Sequence, residues 1–139
     1  MLFRSSMIKL GAHIVSRGRG QGCALVTSQP ISFLGSVDPK TGIIIEKGHE
    51  LAGKSIKGKV LVFPGGKGST VGSYVIYQLK KNGAAPTAMI NIKAEPIVAV
   101  GAIISDIPLV DRVEKDPVVM IKTGDKVLVD AIIGSVEIL

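Results

Sequence analysis

The chain has 139 residues, 46% of them hydrophobic and 20% charged, which suits one domain with a core of its own and excludes a disordered chain. No run of about 18 apolar residues is present, so a membrane-spanning helix is not expected. The net charge of +6 comes from basic residues scattered along the chain, and aromatics make up only 4%, so the charge reads as a solvated surface and not as a nucleic-acid face.

Residues 1–6 read as an extension ahead of Met7, too short for a signal peptide. Ile8 to Val15 alternates apolar positions (Ile8, Leu10, Ala12, Ile14) and predicts one strand. His13 falls within it as a strand-face residue. Arg17 to Gly22 reads as a flexible, basic connection, and Cys23 to Thr27 as a second strand with Cys23 as a small buried hydrophobe. Gln29-Pro30 and Asp38 to Gly42 are turn signals on either side of the segment that leads to a short strand at Ile43 to Ile45. Gly48 to Gly58 predicts a surface loop that carries His49.

Val60 to Phe63 is a continuous apolar run, as in a strand buried on both faces. A glycine-rich loop follows, Pro64 to Gly68, then a helix from about Ser69 to Asn82. Val71, Tyr74, Val75, Gln78 and Leu79 share one of its faces. Lys80 and Lys81 fall in its last turn, where cations suit the helix dipole, and Gly83 is the left-handed stop. Thr87 to Ile92 completes a β-loop-α-β unit with parallel strands. Beyond it come a short helix from Glu95 with Pro96 at its first position, and strands at Ile107 to Val110, Val118 to Ile121, Val127 to Asp130 and Ser135 to Ile138. The fold expected is a single β-rich α/β domain over 1–139, with a parallel β-α-β unit and a barrel-like β layer built from both ends of the chain.

The segment that points to chemistry is Phe63 to Tyr74. A buried strand ends, a loop with Gly65, Gly66 and Gly68 follows, and the pair Ser69-Thr70 opens a helix. Free amides and partial positive charge at a helix start, with Lys67 beside them, make a good anion site. A capped strand-to-helix turn explains the same residues without any ligand. The segment is neither common phosphate motif: Gly68 separates Lys67 from Ser69, and Gly66-Lys67-Gly68 lacks the third glycine of a dinucleotide fingerprint. Cys23 is the only cysteine, so the chain forms no internal disulfide and cannot by itself hold a zinc ion or an iron–sulfur cluster. A reducing, cytoplasmic setting is expected.

Several segments together carry a resemblance. They are Ala24 to Thr27, Pro30 to Gly35, Val37 to Gly42, Lys67 to Tyr74, Lys81 to Pro86 and Ala94-Glu95. With these the chain resembles the swivel domain, or small subunit, of the aconitase X family over nearly its whole length from Met7. The resemblance implies a swivelling domain that is half of a hydro-lyase, active only as a heterodimer with a large aconitase-like subunit that holds an iron–sulfur cluster. No metal is expected on this chain.

The resemblance also implies that Ser69 is the general base. It would take a proton next to a carboxylate while the partner's cluster takes the departing hydroxyl. Lys67, Gly68 and Thr70 are the candidates for binding substrate and steadying the serine alkoxide. The substrate implied is phosphorylated, (R)-5-phosphomevalonate, dehydrated to trans-anhydromevalonate 5-phosphate in archaeal isoprenoid synthesis. The alternatives are another dehydratase of the family, such as one acting on cis-3-hydroxyproline, or a non-catalytic anion-binding module. In aconitase an arginine follows the serine closely. Here Thr70 and Val71 stand there, so a carboxylate clamp must come from Arg17, Arg19 or, as preferred, the large subunit.

Overall fold

The computed structural model describes residues 7–139; the extension read at residues 1–6 lies outside them. Eight strands form a sheet in the order β1-β8-β7-β3-β4-β5-β6-β2. They are β1 (Ile8–Gly11), β2 (His13–Ser16), β3 (Arg19–Val26), β4 (Val60–Phe63), β5 (Ala88–Asn91), β6 (Leu109–Asp111), β7 (Lys126–Asp130) and β8 (Ser135–Ile138). The central pairs β3–β4, β4–β5 and β5–β6 are parallel, and the flanking pairs are antiparallel.

The two edge strands, β1 and β2, are separated in sequence only by Ala12. The sheet must therefore curl until its edges meet, which produces the expected barrel-like layer. It also corrects the reading of Ile8 to Val15 as one strand. The chain breaks at Ala12, whose amide donates to Gly134 O, and its two halves pair with β8 and β6. Periodicity is silent on such a break because both halves keep the alternation.

The Arg17 to Gly22 connection is also corrected. Arg19 to Cys23 is ladder, paired with β7, while Ala24 to Val26 pairs with β4. Its glycines permit close approach: a Cβ on Gly20 would lie 2.4 Å from Thr87 O, and one on Gly22 2.9 Å from Gly58 O.

Strand alternation divides the core in two. Leu25, Leu61, Phe63, Met89 and Leu109 face two helices, α2 (Gly72–Lys81) and α3 (Pro96–Ile104). Val60, Val62, Ile90 and Val110 face the barrel interior with Val127, Val129 and Val136. The buried stripe of α2 is Gly72, Val75, Ile76 and Leu79, so the predicted face is rotated: Val71, Tyr74 and Gln78 lie outside. Full burial of Ile76 and Leu79 contributes about 1.5–3 kcal/mol each. The helix ends as predicted, with Lys80 and Lys81 in its last turn and Gly83 at φ 69°.

Three short segments differ from or add to the sequence reading: Ile43 and Ile44, expected with Ile45 as a strand, form only isolated bridges, to Ser55 and Val37. Phe33–Ser36 forms an irregular turn, α1, that breaks at Leu34 and Gly35. Pro117–Met120 is a helical turn, α4, where a strand is expected at Val118 to Ile121. There the Asp116 carboxylate accepts the Val118 amide and Pro117 supplies the first helical φ, and together they outweigh a β-branched pair.

Candidate functional site

The carboxyl ends of the four parallel strands lie along one edge of the sheet, and the loop after β4 rises from that edge on the helix side. Pro64 to Val71 is clamped by three neighbours. Ile31 bridges to Gly66: its amide donates to Gly65 O at 3.2 Å, and its carbonyl accepts from Lys67 N at 3.1 Å. Gly68, at φ 88°, lies against Ser32, whose Oγ would be 2.4 Å from any Cβ there. A Cβ on Gly66 would lie 2.5 Å from the Glu95 carboxylate. Glu95 is the cap of α3, accepting from Ile97 N and Val98 N at 2.9 Å each. The glycines are needed here by crowding as well as by φ.

Lys67, Gly68, Ser69 and Thr70 come together on this loop, and all four are exposed. The predicted helix start shifts: residues 69–71 form a tight lead-in turn, closed by Gly72 N on Ser69 O at 2.9 Å, and α2 begins at Gly72. Ser69 is therefore not the side-chain cap of α2. Its Oγ accepts the amide of Val71 at 3.1 Å. The amides of Gly68, Ser69 and Thr70 make no hydrogen bond among the described residues, so three unpaired donors and the lead-in to a helix adjoin one exposed hydroxyl in the chain. Unpaired amides at such a turn suit an anion, and a donor fixed on Oγ favours its deprotonated form.

The segment before the loop is pinned by carboxylates. Glu50 accepts from the Thr27 hydroxyl and, at 2.6 Å, from the Ser28 amide; these bonds, the hydroxyl first, hold its carboxyl below the usual value. The Ser36 hydroxyl does the same for Glu46, with a smaller attraction from Lys67. The positive charge of Lys67 thus acts on Glu46 as well as on the loop. His49 is buried, contrary to its surface reading. Its Nδ1 accepts from Leu51 N at 3.1 Å and its Nε2 donates to Pro30 O at 3.2 Å, tying its loop to the segment that carries Ser32. Cys23 reverses in the other direction and is exposed on β3, because the alternation places Gly22 and Ala24 inward.

Neither arginine proposed as a clamp reaches this edge. Arg19 opens β3 at the opposite end of the sheet and pairs with Asp130 at 3.2 Å. Arg17 follows Ser16, which is paired with Leu109 at the start of β6, again at the opposite end. Asn91 Nδ2 donates to Phe63 O at 3.2 Å, and its buried Oδ1 has no partner among the described residues.

Beside the loop, Thr70, Ser73, Pro96, Ile97 and Val100 line a shallow pocket of about 300 Å³. Val71, Tyr74 and Val100 are half exposed around it. Among the described residues no group of His, Cys, Asp or Glu is arranged to hold a metal ion, and the single thiol does not fit an iron–sulfur cluster. No helix among the described residues is long and apolar enough to cross a membrane.

Residues 9–138 match the family described as aconitase X swivel domain. The chain is 66% identical over 132 residues to the phosphomevalonate dehydratase small subunit of Methanosarcina mazei, covering 95% of this chain and 92% of that one. The protein of the same name in Thermococcus kodakarensis is 57% identical over 95% of this chain and 97% of its own. Among solved structures, the holo-form crystal structure of Thermococcus kodakaraensis aconitase X superposes with a TM-score of 0.90 at 57% identity, covering 95% of this chain and 98% of that one.

Proposed function

This chain belongs to the aconitase X swivel-domain family, and on that premise we propose that it is the small subunit of a hydro-lyase that dehydrates (R)-5-phosphomevalonate to trans-anhydromevalonate 5-phosphate, with Ser69 as general base. The observation that carries the role of Ser69 is its exposed Oγ at the carboxyl edge of the parallel sheet, held by the Val71 amide. In parallel α/β sheets, open or closed into a barrel, ligands sit beyond the strands' carboxyl ends.

In this reading the Ser69 alkoxide takes the proton from the carbon next to the substrate carboxylate. A free hydroxyl is a weak base, so the alkoxide needs local stabilisation. The Val71 amide supplies it directly, the positive end of the lead-in turn adds to it, and Lys67 adds a screened charge. The free amides of Gly68 and Thr70 receive substrate oxygens. The centre that accepts the departing hydroxyl belongs to the large partner, as does the iron–sulfur cluster of this reading, and the pair works in the cytoplasm.

The domain alone leaves Ser69 open to water, so the partner must close over it. The half-exposed side chains of Val71, Tyr74 and Val100 border the loop and fit such a covering contact. The test is reconstitution with the large subunit, followed by assay with 5-phosphomevalonate and with cis-3-hydroxyproline. Turnover of the first alone supports the reading; turnover of the second alone replaces the substrate while keeping the chemistry; turnover of neither leaves the anion-binding module.

A further inference from the structure

We propose that Arg112 holds the phosphoryl group of the substrate, positioned for that task by the buried carboxylate of Asp111. The inference rests on the dehydratase reading above and names the part of this chain that selects a phosphorylated substrate.

Asp111 ends β6 at the same edge that carries the Ser69 loop, and strand alternation turns its side chain to the helix side, as for Leu109. It is buried, and its oxygens are committed. Oδ1 is hydrogen-bonded to His13 Nδ1 at 2.8 Å; Oδ2 accepts the Ala94 amide at 2.8 Å and lies 3.9 Å from Arg112 Nε. The close approach is through Nε, and the Arg112 side chain is 62% exposed, so its guanidinium is open to a ligand. A buried carboxylate beside an exposed guanidinium is a mounting suited to a planar, two-pronged anion contact.

The backbone supports the same conclusion. Arg112 has φ 48°, one of two described non-glycine residues with positive φ, and its amide donates to Ile92 O at 3.0 Å. A long side chain in that region is held against its preference, and such strain collects where a side chain must be aimed. The mounting is tied to the serine loop through covalent neighbours: Ala94, held by Asp111, precedes Glu95, which packs on Gly66.

Spacing decides which anionic group is met. β6 lies two strands from β4, about 10 Å at roughly 4.8 Å per strand. The substrate carboxylate is bonded to the carbon that loses its proton, so it stays beside Ser69. The phosphorus is five bonds further along, roughly 6 Å in an extended chain. Arg112 can span the remainder; Arg17 and Arg19, at the opposite end of the sheet, cannot.

The experiment uses the complex reconstituted with the large subunit. Arg112→Gly removes the guanidinium while suiting the left-handed backbone, so folding is preserved; Arg112→Lys keeps the charge without the fork. For Arg112→Gly, kcat/KM with 5-phosphomevalonate should fall about 10- to 100-fold, mainly through KM. The inhibition constant of unphosphorylated mevalonate should stay unchanged, and Arg112→Lys should fall between. A loss shared equally by both compounds, or no loss with either, overturns the proposal. Wild-type complex inactive on 5-phosphomevalonate would instead overturn the dehydratase reading, and this inference with it.

Discussion

The amide of Val71 points at Oγ of Ser69 from 3.1 Å, and it is the one hydrogen bond that hydroxyl receives among the described residues. A donor in that position gains strength as the oxygen acquires charge. Val71 has φ −63°, a value proline adopts without strain, and its amide has no other acceptor. Val71→Pro deletes that donor; proline at the third position of the Ser69–Gly72 turn also disfavours a helical backbone at Thr70, so the variant's unfolding midpoint and its assembly with the large subunit are measured alongside its kinetics. Loss of one preorganised oxyanion donor lowers kcat by on the order of 10²-fold. Steady-state kinetics of the reconstituted pair should show that loss in kcat with little change in KM.

Lys67 is expected to contribute less. It is exposed, and part of its field falls on Glu46. Lys67→Met should lower kcat/KM by no more than about tenfold, and raising the salt concentration should reduce the wild-type rate towards that of the variant. A variant rate equal to wild type at low salt would remove Lys67 from the site.

Gly68 couples backbone strain to the aim of Ser69. An alanine at φ 88° is disfavoured, and its Cβ meets Ser32 Oγ at 2.4 Å and Ser32 Cβ at 3.3 Å. Gly68→Ala should cost about 1–3 kcal/mol of stability and lower kcat as well. Ser32→Ala in the same chain should restore part of the activity but not the stability tied to φ. Denaturant unfolding and turnover, read on both variants, separate the two effects.

Acid stability depends on Glu46, Glu50 and Asp130. Their carboxyls are held below the ordinary values of 4.5 for Glu and 3.8 for Asp by the Ser36 hydroxyl, the Thr27 hydroxyl and the Ile132 amide respectively. A carboxyl with a lowered folded-state pKa stabilises fully above its ordinary value, and loses that contribution as pH falls through the folded value. The melting temperature should be flat from about pH 7 to 5 and drop below about pH 4.5. Glu50→Gln should lower the plateau and flatten the drop.

Sequence patterns located what depends on neighbours in the chain. Val60 to Phe63, the loop after it, the Pro96 helix start and Ser135 to Ile138 all stand where expected. They are set by local chemistry: an apolar run, glycines, a ring-fixed φ, an alternation. What escaped depends on contacts far apart in sequence. The break at Ala12 is imposed by barrel closure against Gly134, and the inward turn of His49 by the Pro30 carbonyl. The site itself was half legible. Residues 67–70 lie in one motif, whereas Asp111 and Arg112 join it only because β6 pairs beside β5. The one local hint, an acidic residue ending a strand before a basic one, is also an ordinary turn signal.

In the proposed reaction everything depends on Ser69 removing the substrate proton. The direct measurement is turnover of 5-phosphomevalonate by the pair reconstituted with Ser69→Ala, with assembly checked by sedimentation. Assembly should be intact and the rate lower by about 10²–10⁴-fold. A complex of Ser69→Ala that turns over at nearly the wild-type rate would contradict that role.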